Sequence, residues 1–346
     1  MDRMIVERSG NLLTTEAEAL VNTVNTVGIM GKGVALQFKQ AFPENFRAYE
    51  AACRRGEVQL GRMFVTQTGL LTPRFIVNFP TKGHWKGNSK LGDIEAGLTD
   101  LVRFLRAEQI SSIAMPPLGS GLGGLRWEDV RALIERSFAD LPNVEVILFP
   151  PGQAIAPEER TVRTIKRPLT DWGAALIKIV EAYSALGFEA THIEAQKLLY
   201  FLYRAGQRFK GSFVEGPYGP YDPNMKFGLQ NMEGHYVIGF GDGGVMEPVR
   251  LKPGAANEAD EHLRASDDAG AIYKRIERIN RLIEGFETPY GLELLATVDW
   301  VVTQKGAASE DEAVRMSHEW NARKAKALKE THLRIAYRTL KEHAWI

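Results

Sequence analysis

A three-layer α/β/α sandwich followed by a mainly helical second domain is the fold class this sequence predicts, and three observations predict it. Short apolar runs alternate with helical periodicities from Met4 to Pro150, Pro150-Pro151-Gly152 ends that alternation, and helix-capping signals dominate beyond Pro168. The strands of the first half read as residues 4–6, 19–21, 63–66, 74–79, 112–116 and 144–149. Between them, Leu91, Ile94, Leu98, Leu101, Val102 and Leu105 recur at helical spacing, as do Val130, Leu133, Ile134 and Phe138 after Trp127. Each stripe is wide enough to cover a sheet face.

Residues 1–152 are expected to form the first domain, and residues 153–168, rich in Pro, Thr and charge without apolar periodicity, the linker. In the second domain, 169–346, Thr191 with Glu194 and Ser309 with Glu312 have capping-box spacing, and Thr288-Pro289 reads as an N-cap followed by a first-turn proline. A small β element is expected near 236–240 and 245–246, joined through Gly241-Asp242-Gly243-Gly244.

The chain has 346 residues, 44% hydrophobic and 25% charged, with 43 basic and 43 acidic side chains. That balance leaves no overall field to draw it to nucleic acid or an anionic membrane, so any polyanion must be held by a local patch. Cys53 is the only cysteine, which excludes an intrachain disulfide and a thiolate cluster; at the end of a helix it is given no role. No apolar run approaches the roughly 20 residues of a membrane span, so a cytoplasmic protein without a membrane partner is expected. The seven histidines are scattered, so neither metal nor cofactor is called for.

Three loops at the carboxyl ends of predicted strands carry the chemistry, the position where open α/β sheets bind ligands. The first runs from Asn22-Thr23-Val24-Asn25 through Gly28 to Gly31-Lys32-Gly33-Val34, so that glycines open a helix whose N-terminus favours an anion while Asn22 and Asn25 offer amides to sugar hydroxyls. The second, Gly119-Ser120-Gly121-Leu122-Gly123-Gly124, offers another phosphate cradle. Two cradles imply a diphosphate. This second loop also fits the dinucleotide fingerprint, but no acidic residue stands about 20 positions on at a strand end to hold a ribose. The third, Pro80-Thr81-Lys82-Gly83-His84-Trp85, puts an amine directly after a buried strand. Lys82 is placed either to attack an anomeric carbon or to steady it electrostatically, His84 is read as a structural donor before a proton carrier, and Trp85 divides evenly between stacking on a ligand and packing the loop.

Together these loops resemble the macrodomain family, and Pro80-Thr81-Lys82 resembles its lysine-using branch, which includes the DarG-type antitoxins. The resemblance implies a mixed sheet and an ADP-ribose pocket made by Asn11, Leu12, Asn22, Asn25, Gly31, Lys32, Gly33, Val34, Thr81, Gly119, Ser120, Gly121, Leu122 and Gly123. It implies Lys82 as the catalytic residue of a glycohydrolase that removes ADP-ribose from thymidine bases of single-stranded DNA, with free ADP-ribose as product. Asn11 stands where an aspartate is common, and Gly123 where the protein-directed enzymes of this branch carry an aspartate. Lys86, Lys90 and Arg126 are candidate phosphate contacts beside the pocket.

In the second half, the run from Glu194 to Tyr203 and Gly216-Pro217-Tyr218-Gly219-Pro220 resemble antitoxin domains that neutralise a toxin by direct binding, here a DarT-like ADP-ribosyltransferase. The acidic stretch 258–268 is either a phosphate-mimicking surface or a solvated helix. A non-catalytic ADP-ribose reader and a hydrolase of ADP-ribosylated protein are the rival readings.

Overall fold

Strict alternation along each strand decides the architecture of the first unit, because successive residues point to opposite faces of a sheet. In a computed structural model, which describes residues 5–152, 155–185, 187–240 and 248–346, the chain divides into two units, Met1–Ile165 and Lys166–Ile346. The first contains β1 (Ile5–Glu7), β2 (Ala19–Asn25), α1 (Gly33–Ala41), α2 (Pro43–Arg54), β3 (Phe64–Gln67), β4 (Phe75–Lys82), α3 (Leu91–Ala107), β5 (Ser112–Met115), α4 (Trp127–Phe138) and β6 (Glu145–Leu148). The six strands stand where the apolar runs put them. They form one mixed sheet ordered β1-β6-β5-β2-β4-β3, parallel except where β3 runs antiparallel to β4.

Val21, Val77, Ile113 and Val146 bury one face with the apolar stripes of α3 and α4, while Leu20, Ile76, Ala114 and Ile147 bury the other with Phe38 and Ala41 of α1. Helices therefore cover both faces, as expected of three layers. Gly97 sets the approach of α3, since a Cβ there would lie 2.3 Å from Cζ of Phe79.

The face toward α1 and α2 also carries buried amides. Asn22 and Asn78 lie opposite each other in β2 and β4, and Asn22 Nδ2 donates to Asn78 Oδ1 at 3.0 Å. Asn78 exchanges amide hydrogen bonds with Asn45 of α2 at 2.7 and 3.2 Å and donates to the Phe64 carbonyl at 3.1 Å, while Thr66 Oγ1 donates to Asn45 at 2.7 Å. One connected set of side chains thus joins β2, β4, β3 and α2.

The expected linker is partly fastened to this unit. Asn11 Nδ2 donates to the Glu159 carbonyl and the Arg163 N–H to the Gln40 carbonyl, both at 2.9 Å. The division between units falls after Ile165.

The second unit runs α5 (Asp171–Ala185), β7 (Ala190–Thr191), α6 (His192–Arg204), β8 (Val214–Gly216), β9 (Gly219–Tyr221), α7 (Met225–Met232), β10 (Val237–Ile238), β11 (Pro248–Leu251), α8 (Ala255–Ala265), α9 (Ala269–Ile283), α10 (Pro289–Thr303), α11 (Glu310–Glu319), α12 (Ala322–Ala327) and α13 (Glu330–Glu342). The caps form as read: Glu194 accepts from the Thr191 N–H at 2.6 Å, Thr288 Oγ1 from Gly291 at 2.9 Å and Ser309 Oγ from Glu312 at 3.2 Å. The expected hairpin differs. Its first strand is β10, but the partner is β11, and residues 241–247, which include 245–246, lie outside the described residues. Pro217 and Tyr218 form the turn of a second hairpin, β8–β9, which the two prolines hid as a bare turn. The acidic stretch is partly neutralised, with Glu258 on Lys166 at 2.6 Å and Asp260 on Lys178 at 2.9 Å, which favours the solvated helix over a phosphate mimic.

Two lysines are enclosed in this unit. Lys197 Nζ donates to the Pro220 carbonyl at 2.7 Å, and Lys324 Nζ donates to Thr297 Oγ1 at 2.8 Å and to Glu293, which also receives Arg323. One carboxylate therefore serves two cations. Burial first, and for Lys197 then the ammonium of Lys324, lowers Lys197 to about 7; burial lowers Lys324 to about 8.

Two predictions follow from the buried groups. Asn78→Ala strips the Asn22 and Asn45 amides of their shared buried partner, and calorimetry should register a loss of about 3 kcal/mol; a loss below about 1 kcal/mol would show that the network carries no weight. For the lysines, the unfolded chain holds its protons up to an ordinary value of about 10.4 and the folded chain releases them earlier. The unfolded state therefore binds more protons from about pH 7 to 10, so the melting temperature should rise over that interval, and Lys197→Met should flatten the rise. A parallel pH dependence in the variant would contradict this.

Candidate active site

Three loops leave the carboxyl ends of β2, β4 and β5 and are tied to one another. Val24 lies opposite Pro80, but Asn25 lies opposite Lys82, so a bulge absorbs Thr81 at the end of β4. Bulges re-aim side chains, and this one turns Thr81 inward, where it is buried and its Oγ1 donates to the Val24 carbonyl at 3.4 Å. Lys82 is left half-buried, its Nζ 3.0 Å from the Leu122 carbonyl of the loop after β5. Burial holds its pKa below the ordinary lysine value.

The loop after β2 is organised by Asn25, whose Oδ1 accepts from the N–H groups of Val27 and Ile29 at 3.0 and 3.3 Å while its Nδ2 donates to the Ile29 carbonyl at 2.6 Å. Tyr49 Oη fixes the same residue by donating to its carbonyl at 2.6 Å. The loop ends at Gly33, in the left-handed region at φ 56°, where α1 starts after Lys32 without a side-chain cap. Uncapped first-turn N–H groups are the donors an anion needs.

The loop after β5 turns on Gly119 and Gly124, at φ 70° and 78°. Leu122 meets the first cradle, lying 3.6 Å from where a Cβ on Gly33 would be. The two glycine loops are therefore neighbours. The Ser89 N–H, at the far end of the third loop, donates to the Gly123 carbonyl at 3.0 Å, so that loop is fastened to the second at Lys82 and again at Ser89. Between these points His84 accepts from the Lys86 N–H at 3.2 Å, its ring 5.3 Å from Trp85, which is 46% exposed. His84 thus serves the turn, and the indole keeps an open face.

A family model for the Macro domain matches residues 21–134. A DNA ADP-ribosyl glycohydrolase of Thermus aquaticus is 46% identical over 328 residues, 94% of this chain and 90% of its own length. The enzyme of that name from Mycobacterium tuberculosis is 40% identical over 348 residues, covering 96% of this chain and 98% of its own. A DNA ADP-ribosyl transferase-DNA ADP-ribosyl glycohydrolase fusion protein of Thermosipho africanus is 32% identical over 165 residues, 43% of this chain and 42% of its own. The chain belongs to the DNA ADP-ribosyl glycohydrolase family. It is a macrodomain protein closely related to the DarG-type enzymes of toxin–antitoxin systems.

Within this glycohydrolase framework the structure reassigns several residues named from sequence. Asn22, expected at a sugar, is fully buried and bonded to Asn78, and Asn25 has both amide ends committed to its own loop. Their work is to hold the pocket's floor and rim. Asn11 caps a short helical turn, its Oδ1 accepting from Leu13 at 3.0 Å, while buried Leu12 lies in that turn. Of the phosphate candidates, Lys86 lies over the Trp85 ring at 5.0 Å, Lys90 starts α3, and Arg126 faces Glu128 and Asp129 at 3.9 and 4.0 Å. Sequence reading missed Asn45, Asn78, Tyr49 and Ser89. Asn78 had a signal, a lone amide inside the apolar strand 74–79, whereas Ser89 had none.

Gly123 has no space for a side chain. A Cβ there would lie 2.3 Å from Ser89 Oγ and 2.4 Å from the Gly119 carbonyl oxygen, while a Cβ on Gly121 would meet nothing within 4 Å. Gly123→Ala should therefore weaken ADP-ribose binding at least tenfold by calorimetric titration, and Gly121→Ala should leave it within about twofold. Equal affinities for the two variants would refute the steric argument.

Proposed function

We propose that the first unit hydrolyses the N-glycosidic bond between ADP-ribose and thymidine in single-stranded DNA, with Lys82 as the catalytic residue. The carrying observation is the bulge that sets a half-buried amine beside two adjoining phosphate cradles. Backbone N–H groups of Gly31, Lys32, Gly33 and Val34 and of Gly119, Gly121, Leu122 and Gly123, with the Ser120 hydroxyl, hold the diphosphate, with Thr81 closing the floor and Asn11 and Leu12 lying on the adenine side.

Desolvation favours the neutral amine, so Lys82 Nζ is assigned as the nucleophile at the anomeric carbon. The Nζ–C bond forms as the C–N bond to the base breaks, and the base leaves with the electron pair and takes up a proton. Water then hydrolyses the sugar–lysine adduct, releasing ADP-ribose and the free amine. No carboxylate at position 123 assists, so positioning in the tied loops supplies most of the acceleration.

The second unit is assigned to binding and neutralising a DarT-like transferase. Support comes from relatives that match the chain through both halves and from a relative whose name joins transferase and glycohydrolase in one polypeptide.

Lys82→Ala should reduce release of ADP-ribose from modified oligonucleotide at least a hundredfold while ADP-ribose affinity stays within about threefold. Release by the unmodified protein should climb with pH and level off below the ordinary lysine range. A rate that falls through that range would transfer Lys82 to a cationic, electrostatic role, and unimpaired release by Lys82→Ala would remove it from the chemistry.

A further inference from the structure

We infer that an aromatic and basic face of the second unit, built from Tyr203, Phe209 and Phe227 with Arg208, Lys210 and Lys226, binds single-stranded DNA. The choice of DNA rests on the substrate proposed above; the polyanion-binding character rests on the face itself.

Tyr203 and Phe209 are in contact, and Trp172 joins them to the helix that carries Phe227. Tyr203 and Phe209 have ring centroids 5.9 Å apart, Phe209 lies 6.1 Å from Trp172, and Trp172 packs on Gly228, the neighbour of Phe227. Their exposure is unusual for such side chains: Tyr203 is 45% and Phe227 55% accessible, although Phe213 and Tyr200 just beneath are buried. Packing the interior does not require the outer rings to stay in water.

Cations surround them. Arg208, Lys210 and Lys226 are exposed, and no described carboxylate forms an ion pair with any of the three. Lys226 Nζ lies 4.9 Å from the centroid of the Phe227 ring. The nearby carboxylate, Asp222, is buried and turned inward, accepting from the Asn224 N–H at 2.8 Å. In a chain of zero formal net charge, three unpaired cations around stackable rings make a local polyanion site.

The chemistry discriminates among occupants. Flat rings accept bases of any sequence, and flanking cations track the phosphates, the combination by which single strands are held without base readout. A duplex would hide its base faces from the rings, whereas a single strand offers bases and phosphates together.

The test uses the full chain and a fluorescent 15-nucleotide oligothymidylate, with anisotropy read at several salt concentrations. Tyr203→Ala with Phe227→Ala should weaken binding by about five- to a hundredfold, and reversing Arg208, Lys210 and Lys226 to Glu should lower the slope of log affinity against log salt by about 2. These surface variants should keep the parent's circular dichroism and melting temperature and should release ADP-ribose from a modified mononucleotide at the parent rate. Parent-like affinity and salt slope in both variants would overturn the inference. So would loss of transferase binding with DNA binding intact, because the face would then belong to a protein partner. Absence of release by the parent, with DNA binding that still depends on these residues, would instead defeat the glycohydrolase proposal and leave this one standing.

Discussion

The reciprocal amide pair between Asn78 and Asn45, extended to Asn22 and Thr66, is the interaction on which the pocket depends. It sits where β2 and β4 run side by side, a few residues before each strand gives rise to a loop of the site. Amides buried in a sheet are costly unless paired, and here pairing specifies which strand lies beside which and at what register. A slip of one residue would put Asn78 on the α3 face and leave Asn22 opposite Val77 or Phe79. The register that places Asn25 opposite Lys82 is thus set from below.

Above that floor the loops constrain one another. Lys82 reaches the Leu122 carbonyl, Ser89 reaches Gly123, and Thr26 reaches the Gly83 carbonyl through both its N–H at 3.2 Å and its hydroxyl at 2.8 Å. Close approach of backbones is what permits these ties, and Gly123 permits the closest of them. A carboxylate at that position and a loop pressed against Ser89 are sterically incompatible. Lys82 is held by the Leu122 carbonyl, with its proton affinity lowered by burial.

Much of this was legible before any coordinates. The strands and the covering helices follow from period-2 and period-3.6 patterning, and the glycine loops announce themselves because left-handed backbone at Gly33, Gly119 and Gly124 admits few other residues. What sequence could not supply was direction. Asn22 and Asn25 are three apart, and a pattern alone does not say that one points into the sheet and the other folds back on its own loop. The bulge at Thr81 is equally silent, since no residue type marks it, yet it decides where Lys82 points. In the second unit, the two prolines around Tyr218 concealed the β8–β9 hairpin, because a proline removes a donor without preventing an edge pairing.

The two units distribute charge in opposite ways. In the first, the exposed cations near the loops are partly compensated, as Arg126 is by Glu128 and Asp129. In the second, Lys197 and Lys324 are enclosed near Glu293, while Arg208, Lys210 and Lys226 lie exposed with no ion pair among the described residues. A chain with equal numbers of acids and bases can carry such an imbalance only by placing compensating carboxylates elsewhere. Neutrality overall therefore conceals a locally cationic surface, and a strand of DNA would sense the local field alone, because charges farther than about 8 Å are screened at physiological salt.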